Sequence, residues 1–231
     1  MAREAREAPE RTRLTRDRVL RAAVELADTA GIESLSMRRL ASELHVVPMA
    51  LYKHVANKEE LLDGMVDLVI GEIDPPAREA DWKHALRQRI LSARRALLRH
   101  PWARRALETR TNPTPTVLAY QNSMIGLFRE AGFSLDLTHH VLHAIGSRIF
   151  GFTQELYEDS SIANQEPAEI PPEIVQAFPY IGEIARFISH DPDSVVGAAG
   201  CDDQFEFEFA LDLLLDGIER LRNRELADRA R

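Results

Sequence analysis

Residues 38–58 hold the side chains best suited to meeting a polyanion. Arg38, Arg39, Lys53 and Lys58 supply positive charge, and Tyr52 and His54 add rings that can form hydrogen bonds. No acid lies between Leu44 and Lys58. Arginine and lysine pair with phosphate oxygens or with a guanine edge. A tyrosine hydroxyl donates to phosphate while its ring packs on the sugar. The chemistry implied is recognition of a nucleic acid, not bond making. Taken singly, Tyr52 reads as a core aromatic and the lysines as solvated charge. Their joint spacing favours DNA.

The rest of the chain has the opposite charge. The 231 residues carry 29 Lys and Arg against 37 Asp and Glu, a net of −8. From Arg11 to Lys58 nine basic residues stand against five acidic ones, a net of +4, which leaves −12 for the remainder. A small basic module attached to a larger acidic body is the expectation.

The elements that would position these residues are helical. Val19, Leu20, Ala23, Leu26 and Ala27 make one stripe of a helix over about 15–30, and Gly31 closes it. Ser36 caps a short second helix to about residue 44, with Leu40, Ala41 and Leu44 inward. "HVV" is a tight turn. Pro48 opens a third helix to about His54, with Leu51 and Val55 as its buried side. The opposite face then offers Pro48, Met49, Tyr52, Lys53 and His54 to a major groove. Asn57 caps a fourth helix, which places Lys58 at its start beside free backbone N–H groups. Arg38 and Arg39 would straddle the DNA backbone. Further helices are expected at about 80–99, 101–108, 114–131, 135–157, 171–188 and 203–224. Segments 158–172 and 189–203 read as loops. The fold class is all-α: a three-helix helix-turn-helix head and a larger helical body.

The stretch "GIESLSMRRLASELHVVPMALYKHVANKEELLDGMV" resembles the DNA-binding domain of the TetR family of bacterial repressors. Gly31, Leu40, Ala41, Leu44, Val46, Leu51, Tyr52, His54, Val55, Asn57, Lys58, Leu61 and Leu62 carry the match. His45 departs from it, because the family has glycine in the turn. Histidine tolerates a positive φ better than most residues, so the turn is expected to survive. More weakly, "WKHALRQRILSARRALLRHP", "GLFREAGFSLDLTHHVLHAIGSRIFGFTQE" and "FEFALDLLLDGIERL" resemble the ligand-binding and dimer-forming domain of the tetracycline-repressor branch. The charged first residues, 1–14, lack an apolar core and read as a flexible arm, ahead of a head over 15–60 and a body over 61–231. The resemblance implies double-stranded operator DNA, a small-molecule effector and a second copy of the chain as partners. The tetracycline site does not carry over whole. That branch's magnesium-binding histidine aligns with Ala106, and two polar drug contacts align with Asp74 and Arg89. Only Thr109 and Glu155 match.

The body suggests an apolar pocket for a hydrophobic or aromatic effector. Its candidate lining is Trp102, Thr109, Tyr120, Met124, Phe128, His143, Phe150, Gln154 and Glu155. The last helix is apolar nearly all round, which suggests burial on two fronts. With the helix at 135–157 it offers Val141, Ile145, Ile149, Phe209, Leu213 and Ile218 for dimerisation. The competing reading is a helical enzyme or metal-binding protein. No Gly-rich phosphate loop, GxSxG or HExxH is present, and nothing completes a site with His139, His140 and His143. No catalytic residue, metal or cofactor is expected. The single Cys201 excludes an internal disulfide, and no apolar run is long enough to span a bilayer. A cytoplasmic protein is the expectation.

Overall fold

Polar caps set the helix starts. The computed structural model describes residues 13–76, 81–110, 112–151, 176–180, 182–183, 196–197, 200–201 and 203–231, except the side chains of 147–151, 196–197, 200–201 and 203. Helix α1 spans Arg16–Ala30, with the Thr15 hydroxyl accepting from Arg18 N–H at 3.2 Å. It ends at Gly31, which has φ 78° and donates its N–H to Ala27 O. Helix α2 spans Met37–Glu43, and Ser36 Oγ accepts from Arg39 N–H. Helix α3 spans Pro48–Leu51 and helix α4 spans Lys58–Gly71. The α4 cap is reciprocal. Asn57 Oδ1 accepts from Glu60 N–H at 2.8 Å, and Glu60 Oε2 accepts from Ala56 N–H at 2.7 Å.

The turn between α2 and α3 survives the absence of glycine. His45 takes φ 55°, the left-handed region. Val46 N–H reaches Ala41 O at 2.9 Å and His45 N–H reaches Ser42 O at 3.1 Å, the paired bonds of a Schellman cap. Regular α3 is shorter than the periodicity suggests, ending at Leu51 instead of near His54. His54 N–H bonds back to Leu51 O at 2.8 Å, an i→i+3 closure that tightens the last turn.

The remaining elements are α5 (Trp82–Arg99), α6 (Pro101–Thr109), α7 (Pro115–Glu130), α8 (Leu135–Gly151) and α9 (Asp203–Arg229). Between α8 and α9, strands β1 (Val196–Gly197) and β2 (Gly200–Cys201) pair antiparallel, Val196 with Cys201 and Gly197 with Gly200. The helix expected over 171–188 and the stretch of 135–157 beyond Gly151 lie largely outside the described residues. Among the described residues the architecture is all-helical apart from that two-residue ladder.

The chain divides into two compact units. The first is Met1–Pro76 with Gln88–Met124, so it packs more chain than the helix-turn-helix segment alone. Its core joins Val19, Leu20, Ala23 and Leu26 of α1 to Leu40, Leu51, Val55, Leu61 and Met65, all buried. Fully burying one such leucine contributes roughly 1.5–3 kcal/mol. Helices α1 and α4 approach closely at Gly64, where an added Cβ would stand 2.6 Å from Leu20 Cδ2.

The second unit is Ala77–Arg87 with Ile125–Arg231. Trp82, Phe128 and Phe133 meet edge-on or tilted, at centroid distances of 5.0 to 6.4 Å. Lys83 bonds Asp216 and Glu219, and Arg87 bonds Glu208 and Asp212, at 2.6–2.8 Å. These two cations of α5 thus each span two carboxylates of α9. Phe207, Leu211, Leu215 and Ile218 of α9 are buried, as are Val141 and Ile145 of α8.

Candidate nucleic-acid interface and effector-site residues

Helix α3 is anchored from one side only. Leu51 is 0% and Val55 1% exposed. Around them Pro48, Met49, Tyr52 and Lys53 are exposed and His54 is half-buried. Met49 at 71% is unusually bare for a large apolar side chain in a cored unit. Arg38 and Arg39 are exposed in the first turn of α2, and Lys58 is exposed as the first residue of α4. None of Arg38, Arg39, Lys53 and Lys58 enters an ion pair among the described residues. The structure therefore presents four free cations, Tyr52 and a short helix on a head whose apolar side is fully used. Val47, 68% exposed, precedes α3 and belongs to the same surface. Sequence reading absorbed it into the turn, although its place just before Pro48 was the available signal.

The effector candidates fall into separate environments. Trp102 is buried, and its Nε1–H donates to Asp28 Oδ1 at 2.6 Å. Thr109 is exposed, and its hydroxyl donates to the Arg105 and Ala106 carbonyls of its own helix. Tyr120 is half-buried, with the Arg89 guanidinium carbon 4.6 Å from its ring centroid. Burial pushes the Tyr120 phenol up, and the Arg89 charge acts against that rise. Met124 and Phe128 are buried. Phe128 belongs to the aromatic cluster with Trp82 and Phe133. His143 is exposed, its ring 4.6 Å from that of His139. The Phe150 side chain and residues Gln154 and Glu155 lie outside the described residues. Asp74 and Arg89 do meet: Arg89 Nη1 donates to Asp74 O at 3.0 Å.

Of the dimerisation candidates, Val141, Ile145 and Ile218 are buried where α8 packs on α9. Phe209 and Leu213 are 53% and 56% exposed, and the Ile149 side chain lies outside the described residues. Leu137, Val141, Ala144, Leu213, Leu214, Gly217, Ile218 and Leu221 line a groove of about 580 Å³ along these two helices. Its polar rim is His140, Arg220 and Arg224.

A short helix held by Leu51 and Val55, set behind α1 and α2 with its cations free, defines a helix-turn-helix DNA-binding protein. The chain belongs to the TetR family of bacterial regulatory proteins: residues 19–65 match that family's model, and residues 75–222 match the tetracyclin repressor-like C-terminal domain. It is 30% identical over 215 residues to the HTH-type transcriptional repressor DrrR1 of Streptomyces coeruleorubidus, covering 90% of this chain and 78% of that one. An HTH-type transcriptional regulator of Saccharopolyspora erythraea is 38% identical over 121 residues, which spans about half of each chain, 52% and 51%. The crystal structure of apo ActR from Streptomyces coelicolor matches with a TM-score of 0.71 at 25% identity, covering 95% of this chain and 100% of that one. The structure of ActR in complex with (S)-DNPA matches with a TM-score of 0.67 at 27% identity, over 90% and 98%. This chain is a DNA-binding transcriptional regulator. Among the described residues no helix is long and apolar enough to cross a membrane.

Proposed function

We propose that the protein is a repressor that binds a palindromic operator as a homodimer and leaves it when a small hydrophobic or aromatic effector occupies the body. The carrying observation is the bare face of α3 and the N-terminus of α4: Tyr52, Lys53 and Lys58 are exposed above a side fixed by Leu51 and Val55. A rigid short helix with free cations fits a major groove, and phosphate contacts fix its register. The repressor role is supported by the similarity to DrrR1, and the effector role by the ligand-bound form of ActR.

A two-fold operator needs two heads about 34–36 Å apart. The apolar groove along α8 and α9 is the surface through which a second copy would hold that spacing. An effector that favours another spacing weakens DNA binding, and by linkage the operator weakens effector binding by the same factor. The protein performs no catalysis in this reading, and it acts in the cytoplasm. The test is titration of DNA from upstream of its own gene with the purified full-length protein. Binding should fall steeply and linearly on a log–log salt plot. Absence of salt-dependent binding in every ligand state would sink the reading.

A further inference from the structure

The side chains just ahead of α3 and in its first turn carry no strong hydrogen-bonding group. From Val46 to Leu51 the sequence is Val-Val-Pro-Met-Ala-Leu, without one side-chain nitrogen or oxygen. Three of these residues stand in a row on the surface: Val47 is 68% exposed, Pro48 is exposed and Met49 is 71% exposed. Folding does not ask for them there. Leu51 and Val55 already anchor α3, and Val46 N–H closes the preceding turn on Ala41 O at 2.9 Å. At Val47 only the backbone is used, its carbonyl accepting from Ala50 N–H at 2.9 Å. The corresponding places before α1, α2 and α4 hold Thr15, Ser36 and Asn57, whose side chains accept backbone N–H groups. A valine side chain accepts nothing, so this position gives up a stabilising cap. In sequence the apolar run is bracketed by Arg38, Arg39, Lys53 and Lys58, which enter no ion pair among the described residues. Single exposed apolar residues are ordinary, but a row of three on the face that meets a polyanion is not.

We propose that Val47 and Met49 read thymine, through its 5-methyl group, in each half-site of the operator. This rests on the operator-binding reading above and names the bases that α3 selects. In the major groove guanine, adenine and cytosine present only hydrogen-bonding groups, whereas thymine adds a methyl group. A side chain with neither nitrogen nor oxygen answers only the methyl. Set against another base edge, it strips water from a donor or acceptor and returns nothing. Thymine is therefore selected both by attraction and by the cost at the other three bases. Val47 and Met49 choose bases, while Tyr52 and Lys58 hold phosphates.

The probe is DNA from upstream of the protein's own gene, amplified with deoxyuridine in place of a fraction of the thymidine. Uracil pairs as thymine does and lacks only the methyl. Full-length protein selects the bound fraction, and cleavage at uracil reports where a missing methyl weakens binding. Thymines in each half-site should interfere. Duplexes with one uracil at such a site should lose about fourfold in affinity, the scale of one buried methyl-sized group, and about 15-fold when both half-sites are changed. In Val47→Ala and in Met49→Ala, thymine and uracil duplexes should bind nearly alike at the base that residue faces. Val47→Ser supplies a capping hydroxyl, so it should melt at or above the wild-type temperature while losing the same thymine preference. If the DNA is not bound in any salt or ligand state, the repressor reading and this inference fall together. Salt-dependent binding without uracil interference, or interference that persists in both alanine variants, overturns the thymine assignment and leaves the operator reading standing. A marked drop in the melting temperature of Val47→Ser makes Val47 a structural residue and overturns its role in base choice.

Discussion

His100 Nδ1 lies 2.9 Å from Asp28 Oδ1, which ties the cap of α6 to the last turn of α1. The same carboxylate oxygen accepts from Trp102 Nε1–H at 2.6 Å. The other nitrogen of the His100 ring stands 3.1 Å from Glu72 Oε1, just past the end of α4. One nearly buried ring therefore joins α1, α4 and α6.

Asp28→Ala follows directly from this geometry. It leaves the Trp102 N–H and the His100 Nδ1 side without an acceptor in a buried setting. Each orphaned group costs about 1–3 kcal/mol. The variant should lose about 2–4 kcal/mol of unfolding free energy in urea. A loss below about 0.5 kcal/mol, the level of an ordinary surface substitution, would show the cluster to be incidental.

Glu72 makes the same cluster sensitive to acid. Burial works against its charge, but hydrogen bonds from Arg99 and His100 outweigh burial and hold its carboxyl below the ordinary value of 4.5. A depressed folded-state value means that the unfolded chain takes up the proton first as pH falls. The stabilisation is present above about pH 4.5 and is lost as pH drops through the lower folded value. The urea midpoint should therefore decline below about pH 4.5, and Glu72→Gln should decline less. Parallel curves for the two proteins would exclude Glu72 as a contributor.

What the sequence made legible was mostly local. Gly31, Ser36 and Asn57 cap where their types demand, because a cap depends on residues within four positions. His45 at φ 55° follows the same logic, with the turn dictating the backbone and histidine tolerating it. The bare face of α3 was legible because Leu51 and Val55 stand four apart. Long-range pairing was not legible. Nothing in the local pattern links Trp102 to Asp28, 74 positions away, and the indole was read as pocket lining. Nor does periodicity tell which side of α9 turns inward, since both are apolar. The structure places Leu211, Leu215 and Ile218 inside and leaves Phe209 and Leu213 bare.

Lys58→Ala and Tyr52→Ala test the head. Both side chains are exposed, so neither change should disturb folding. Lys58→Ala removes one phosphate contact per protomer. The operator affinity should drop, and the log–log salt slope should become shallower by about 1 per lost contact, about 2 for a dimer. Tyr52→Ala should weaken binding with less effect on the slope, because a neutral hydroxyl releases no counterion. Dimerisation and effector binding should stay at wild-type levels. Equal operator affinity in wild type and both variants, measured by fluorescence anisotropy, removes the contact roles assigned to them.

Leu213→Glu tests the groove along α8 and α9. Leu213 is 56% exposed yet lines an apolar groove beside Leu214 and Leu221, so it has room for a carboxylate in an isolated protomer. In a two-fold dimer the change would bring two like charges to one interface and desolvate both. The variant should retain its helical circular dichroism and elute as a monomer in light-scattering chromatography. Operator affinity should then fall by about 100-fold or more, because two untethered heads lose the effective-concentration advantage of a linked pair. Leu211→Glu, at a side chain with 0% exposure, should instead unfold the body, which separates interface from core. If Leu213→Glu remains dimeric at wild-type concentrations, the two-fold contact must be made by another face of the protein.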